Sequence, residues 1–129
     1  MRMSLSLFNV LIVGLLLQQA CSKKTISPAN EVAAIDCPDA GAFVKQVKAT
    51  NGIVWYSTEK QQYFISVSTG TIDNQDIGFV CNLPDEYKKT GLRVTFGGRY
   101  HEFKGEIKRI VGASYYYLTI NHLTKTTTP

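Results

Sequence analysis

Two patterns of apolar and polar positions divide the chain. From Leu5 to Leu17, LSLFNVLIVGLLL is a mostly apolar run of 13 residues, broken at Ser6, Asn9 and Gly14. From Phe43 onward the period is two. FVKQVKATNGIVWYS sets Phe43, Lys45 and Val47 against Val44, Gln46 and Lys48, then resumes through Ile53 and Trp55. Such alternation puts successive side chains on opposite faces of a strand. TNG at 50–52 is either a hairpin turn or a bulge in one long curved strand. QYFISVST, residues 62–69, sets Tyr63, Ile65 and Val67 against Phe64, Ser66 and Ser68. IGFVC, 77–81, is a short apolar run of the kind that forms a buried strand. LRVTFGGRYHEF, 92–103, reads as a strand kinked at Gly97-Gly98. SYYYLTINHLTK, 114–125, is the last, with Tyr116, Leu118, Ile120 and His122 on one face.

Between the third and fourth strands, LPDEYKKTG carries the signals of one short helix. Pro84 stands early, Asp85 and Glu86 in the first turn, Lys88 and Lys89 in the last, and Gly91 at the stop. The order is then β-β-β-α-β-β with a long bent first strand, which is the order of the OB-fold. The expected class is mainly β: a five-stranded OB-like Greek-key barrel over residues 43–125 with one short helix, after an N-terminal signal helix. Closing so small a barrel needs sharp bends, and Gly52 and Gly97-Gly98 stand where they can supply them. A plain β-sandwich, or a meander capped by a helix, is the rival architecture.

The N-terminal run is too short to cross a bilayer, which takes about 20 apolar residues. It fits the apolar region of a secretory signal, about 7–15 residues long, behind the single charge of Arg2. A helix apolar on all sides, with no N-cap and no polar face, suits export better than a buried core. Ala20 suits an ordinary signal peptidase site at −1, whereas Gln18 does not suit −3. QQACS resembles the lipobox of bacterial lipoproteins, whose cysteine becomes the mature N-terminus and carries a thioether-linked diacylglycerol. The likeness rests on Ala20 and Cys21; the family places an aliphatic residue where this chain has Gln18. Ser22 is similar to the residue found in lipoproteins sorted to the outer membrane. The resemblance implies a signal peptide at 1–20 and a lipid anchor at Cys21, with palmitate-type acyl chains, leaving the domain facing the periplasm or cell surface. Lys23 and Lys24 are either headgroup contacts or solvated linker lysines. Two such charges contribute about 2 kcal/mol at most, so the acyl chains would dominate anchoring.

Residues 21–42 show no sustained alternation and hold Pro28 and Pro38. They read as a tether, with a brief helical turn at Asn30–Ala34, that becomes ordered near Cys37. Residues 126–129 read as a disordered tail. Three cysteines leave one over after a disulfide. Acylating Cys21 removes it and leaves Cys37 and Cys81 as a pair: either a disulfide, suited to an oxidising compartment, or two buried thiols. Closing a loop of about 45 residues would stabilise by about 4 kcal/mol in the chain-entropy account.

Composition narrows the functional classes. Hydrophobic content of 44% and charged content of 19% exclude wholesale disorder. Without Arg2, thirteen basic residues stand against ten acidic ones. That mixed balance lacks the clustered basic face of nucleic-acid binding, so no nucleic-acid partner is expected. There is no G-x-S-x-G elbow, P-loop or H-E-x-x-H. DNQDIG, 73–78, misses the spacing of a calcium loop, and neither His101 nor His122 neighbours a cysteine in sequence, so no metal or other cofactor is expected. Glu102 and Glu106 read as solvated loop charges rather than a catalytic pair.

GFVCNLPDEYKKTGLRVTFGG, followed by YYYLTINHL, resembles small uncharacterised Gram-negative lipoproteins in which a C-N-L-P turn, a G-L-x-V-x-F-x-G strand and a terminal Y-Y-x-L-x-I strand recur. The likeness covers roughly residues 50–123. It implies a compact β-domain with Asn82, Leu83 and Pro84 shaping a turn, and carries over no catalytic residue. Aromatics are the stronger functional signal. Trp55, Tyr56, Tyr63, Phe64, Tyr100 and Tyr115–Tyr117 all fall on expected strands, and alternation turns about half of them outward. In OB-folds such faces bind oligosaccharides and oligonucleotides by stacking; strand propensity alone also accounts for tyrosines here. The expectation is a monomeric, non-enzymatic module that binds a protein or glycan through Tyr56, Tyr63 and Arg99. The alternative is a hydrolase accessory, or an inhibitor of a hydrolase or protease, acting through the 70–76 and 104–113 loops.

Overall fold

The computed structural model describes residues 31–33, 35 and 37–127. The expected signal segment 1–20, the anchor Cys21 with Lys23 and Lys24, and the last two residues of the expected tail lie outside these. Five strands follow: β1 (Phe43–Ser57), β2 (Gln62–Ser68), β3 (Gln75–Val80), β4 (Arg93–Glu102) and β5 (Ala113–Lys125). They close into a barrel in the order β1-β2-β3-β5-β4, with β4 returning to β1. β3 and β5 run parallel, and every other pair is antiparallel.

β1 is one long strand, and TNG lies inside it as neither turn nor bulge: Thr50, Asn51 and Gly52 pair in register with Phe96, Thr95 and Val94. Its register with β4 shifts between Val47 and Thr50, and beyond Gly52 it turns to pair with β2 from Ile53 to Ser57. A Cβ at Gly52 would run into Ile65, so the bend depends on a residue without one. Opposite the Gly97-Gly98 kink, β5 carries a second bulge. Gly98 opposes Ile120 while Gly97 opposes His122, so Asn121 is skipped. That slip corrects one expectation: after Ile120 the inward position passes to the fully buried Leu123, not to His122.

The expected helix is absent. Only Asp85–Tyr87 forms a single 3₁₀ turn. The reason lies at the far end of the segment. Gly91 N–H donates to the Val54 carbonyl at 2.7 Å, and Val54 N–H donates to the Leu92 carbonyl at 2.9 Å. The chain is thus drawn back into the ladder before a longer helix can form, and Gly91 turns there with φ +87°. Leu83 and Tyr87 plug the barrel from this side, the Tyr87 hydroxyl donating to the Leu123 carbonyl at 3.3 Å.

Inside the barrel lie Val54, Ile65, Val94, Phe96, Tyr100, Leu118, Ile120 and Leu123, all buried. Each such aliphatic or aromatic side chain contributes about 1.5–3 kcal/mol through removal from water. A second apolar cluster sits outside the wall, where Ile77, Phe79, Tyr115 and Tyr117 of β3 and β5 meet Phe103 and Cys37. β3 is consequently buried on both faces from Asp76 to Val80, as its unbroken apolar run predicts.

The described residues Glu31, Val32 and Ala33 are tied to the barrel. Glu31 forms an antiparallel bridge with His122, which replaces the helical turn expected at Asn30–Ala34 in its described part. Val32 N–H donates to the Asn121 carbonyl at 3.3 Å. Asn82 completes the junction. Its amide nitrogen donates to the carbonyls of Ala33 (2.9 Å) and Ile120 (2.7 Å), and its oxygen accepts from Ile120 N–H at 2.9 Å. The side chain thereby continues the β3–β5 pairing past the end of β3 and explains a buried polar residue in the C-N-L-P turn. Beside it, the Cys37 and Cys81 sulfurs lie at bonding distance, with Cα atoms 5.5 Å apart across 44 residues of sequence. That Cα spacing is the ordinary one for a disulfide.

Candidate functional site

Strand register assembles a feature that no single segment displays. Trp55 pairs with Phe64, Phe64 with Phe79, and Phe79 with Tyr117, so four aromatics from β1, β2, β3 and β5 form one row across the outer wall. The connection from β4 to β5, residues 103–112, folds back over one half of this row. Phe103 stacks on Phe79 at 5.2 Å between ring centroids and lies 4.9 Å from Tyr117. Lys60 adds its ammonium 5.3 Å above the Phe103 ring. The row is therefore graded: Phe79 is 1% exposed, Phe64 half-buried, and Trp55 39% exposed.

The covering loop is held at both ends. Lys108 N–H donates to a Glu59 carboxylate oxygen at 3.1 Å, and Lys60 Nζ donates to the Glu106 carbonyl at 3.4 Å, which fastens it to the β1–β2 turn. At the other end Ile110 N–H donates to the Tyr115 hydroxyl at 2.9 Å, and Gln75 N–H donates to the Gly112 carbonyl at 3.0 Å. Gly112 has φ +87°, and a Cβ there would meet the Asp73 carbonyl, so only glycine fits. Between the β1–β2 turn and this loop remains a cleft of about 250 Å³, lined by Tyr56, Phe64, Ile107, Ile110 and Tyr115 among others.

Two of the three residues expected to bind a ligand come together. Tyr56 and Tyr63 are register partners with ring centroids 4.9 Å apart in an edge-to-face arrangement. They border a second cleft of about 290 Å³ with Gln62, Leu83 and Lys88. Arg99 is not with them. It packs over Phe43, at the opposite end of β1, with its guanidinium carbon 4.4 Å from the ring centroid. The two loops singled out, 70–76 and 104–113, meet where Gly112 approaches the Asp73 carbonyl and carry exposed apolar residues at Ile72 and Val111.

The barrel interior is polar at one end. Lys45 and Asp76 form an ion pair there, and the Lys45 ammonium lies 5.2 Å from the ring centroids of both Tyr100 and Tyr116. Asp76, part of the DNQDIG stretch, thus pairs with Lys45, whose side chain is still partly exposed. Burial pushes the Tyr100 phenol well above its ordinary range, with the Asp76 charge and Tyr116 adding to the effect. Tyr117 is raised by burial and by Asp39. At the surface, Lys88 holds the Asp85 carboxyl below its usual range through a hydrogen bond and its charge. Among the described residues there is no cluster of three or more metal-ligating side chains, and none of the hydrogen bonds described above pairs a nucleophile with a base.

Sequence placed each of these aromatics on a strand but could not supply the register that aligns them, so Phe64 and Phe79 were not singled out as site residues. A double-sided apolar β3 was the available signal that something covers its outer face. Neither a scan of protein-family models nor a search of curated proteins found a match to the chain.

Proposed function

We propose that the chain is an exported lipoprotein, anchored through Cys21 in the outer membrane, whose barrel is a non-enzymatic module that binds a protein or glycan. The observation that carries the binding reading is the graded aromatic row. A row that served packing alone would be covered along its length, whereas this one is closed at Phe79 and open at Trp55. Exposed aromatic faces on a rigid sheet suit ligand stacking at little cost in side-chain entropy. The OB-like assignment is supported by the closed order β1-β2-β3-β5-β4 with β3 and β5 parallel, and by the position of the row between the β1–β2 and β4–β5 loops, where OB-folds bind.

Crosslinked capture from intact cells tests the module. The wild type retains a specific partner, and Trp55→Ala loses it while staying folded. Intact-mass measurement of the membrane fraction tests the anchor: a mature chain beginning at Cys21 without acyl mass removes the lipoprotein claim. A second reading, an accessory or inhibitor of an envelope hydrolase, is favoured by the paired loop tips, since Ile72 is 101% and Val111 96% exposed. Under that reading, capture depends on shortening 70–76 or 104–113 and not on Trp55.

A further inference from the structure

Where β1 bends, a cleft of about 390 Å³ opens on the outer wall between β1, β2, the start of β4 and the 69–74 loop. Ile53 and Ile72 supply its apolar surface, and Asn51, Ser66, Gln75 and Arg93 its polar one. Asn74, Ser68 and Thr126 complete the polar lining, and two of its three amides have their oxygens taken up within the protein. Thr95 Oγ1 donates to the Asn51 amide oxygen at 2.8 Å, and Ser66 Oγ donates to the Gln75 amide oxygen at 2.7 Å. Each of these two amide oxygens is thus occupied by a neighbouring hydroxyl, while among the described residues neither amide nitrogen has a protein acceptor. No carboxylate lines the cleft, and Arg93 belongs to neither of the ion pairs among the described residues. A guanidinium offers five donors in a planar fork matched to a carboxylate.

The cleft therefore joins a positive charge, two amide donors and an apolar surface. Its volume falls within the roughly 300–1,000 Å³ of ligand sites and exceeds the needs of a bare anion. The matching ligand is a compact ring with one apolar face, several acceptor oxygens and one negative charge. We infer that this cleft binds a carboxylated sugar residue of the uronic-acid type. The inference rests on the proposed binding function and names the chemistry of its glycan. The aromatic row and the cleft share the outer wall of β1 and β2, with Trp55 two residues along β1 from Ile53, so an extended glycan can engage both.

The test is titration of the ¹⁵N-labelled 21–129 chain, its cysteines oxidised and Cys21 replaced by serine, with glucuronic acid, glucose, acetate and inorganic phosphate. Glucuronic acid shifts the side-chain amide signals of Asn51 and Gln75 and the Nε signal of Arg93. Arg93→Gln weakens it about tenfold or more, the loss expected for a charge-assisted bidentate contact, while Lys89→Gln, an equal loss of charge on an exposed turn, leaves it unchanged. A silent titration with all four probes overturns the inference. Equal responses to glucose and glucuronic acid, or insensitivity to Arg93→Gln, overturn the anionic assignment. Equal responses to acetate or phosphate overturn the sugar. Partner capture that survives Arg93→Gln but fails in Trp55→Ala removes this inference and leaves the binding module standing.

Discussion

The outer wall of the barrel has two halves that share one row of aromatics. Over β3 and β5 the wall is sealed by Phe103, the 103–112 loop and the Cys37 segment. Over β1 and β2 it is open, with Trp55 and Tyr56 exposed beside two clefts. Phe79 and Trp55 occupy the same row and differ in what lies over them. Cover, more than composition, divides residues that hold the fold from residues free to meet a ligand.

The strongest way to break this comparison is to empty the sealed half. Phe79→Ala should cost about 3–5 kcal/mol, read as a lower urea midpoint with unchanged slope. Next is the covalent edge of the same cover. Replacing Cys37 and Cys81 together with serine should cost about 2–4 kcal/mol, and reducing the wild type should bring it to the same midpoint.

A smaller effect concerns the interior end of the barrel. Tyr100 is held above its ordinary value of 10.0, chiefly by burial and then by Asp76 and Tyr116. A raised folded-state pKa means that the stabilisation is fully present below pH 10.0 and is lost as the pH climbs past it. Urea midpoints should fall above that pH, and Tyr100→Phe should fall less steeply.

The smallest stability effect sharpens the contrast. Trp55→Ala should cost about 1 kcal/mol at most yet abolish partner capture. A loss equal to that of Phe79→Ala would erase the distinction between the two halves.

Period-two alternation in β1 and β2 and the unbroken apolar run of β3 were enough to place strands, because residues facing a core are mostly apolar whatever their partner. The continuation of β1 was legible because the pattern resumes after Gly52, whereas its bulge falls earlier, between Val47 and Thr50. What the pattern could not carry was whatever depends on two distant segments at once. The helix signals around Asp85 were real locally, and they lost to backbone bonds between Gly91, Leu92 and Val54. His122 fell out of its expected face because β5 bulges at Asn121, opposite Gly97-Gly98. Tyr56 and Tyr63 come together because they flank a tight turn, so sequence distance reports spatial distance. Arg99 was misplaced beside them because β4 returns to the opposite end of β1. Arg93, Asn51 and Gln75 come from three strands and carry no local motif.

The junction of Glu31, Asn82 and the two bonded cysteines has a mechanical meaning. A pull entering from the N-terminus first loads the Glu31–His122 bridge and the Asn82 contacts. It then reaches Cys37, where the covalent link hands the load to the end of β3. The chain between the two cysteines, which includes all of β1 and β2, carries none of that tension. The β1 and β2 sides of the clefts, and Trp55 at the exposed end of the aromatic row, therefore lie off the loaded covalent path.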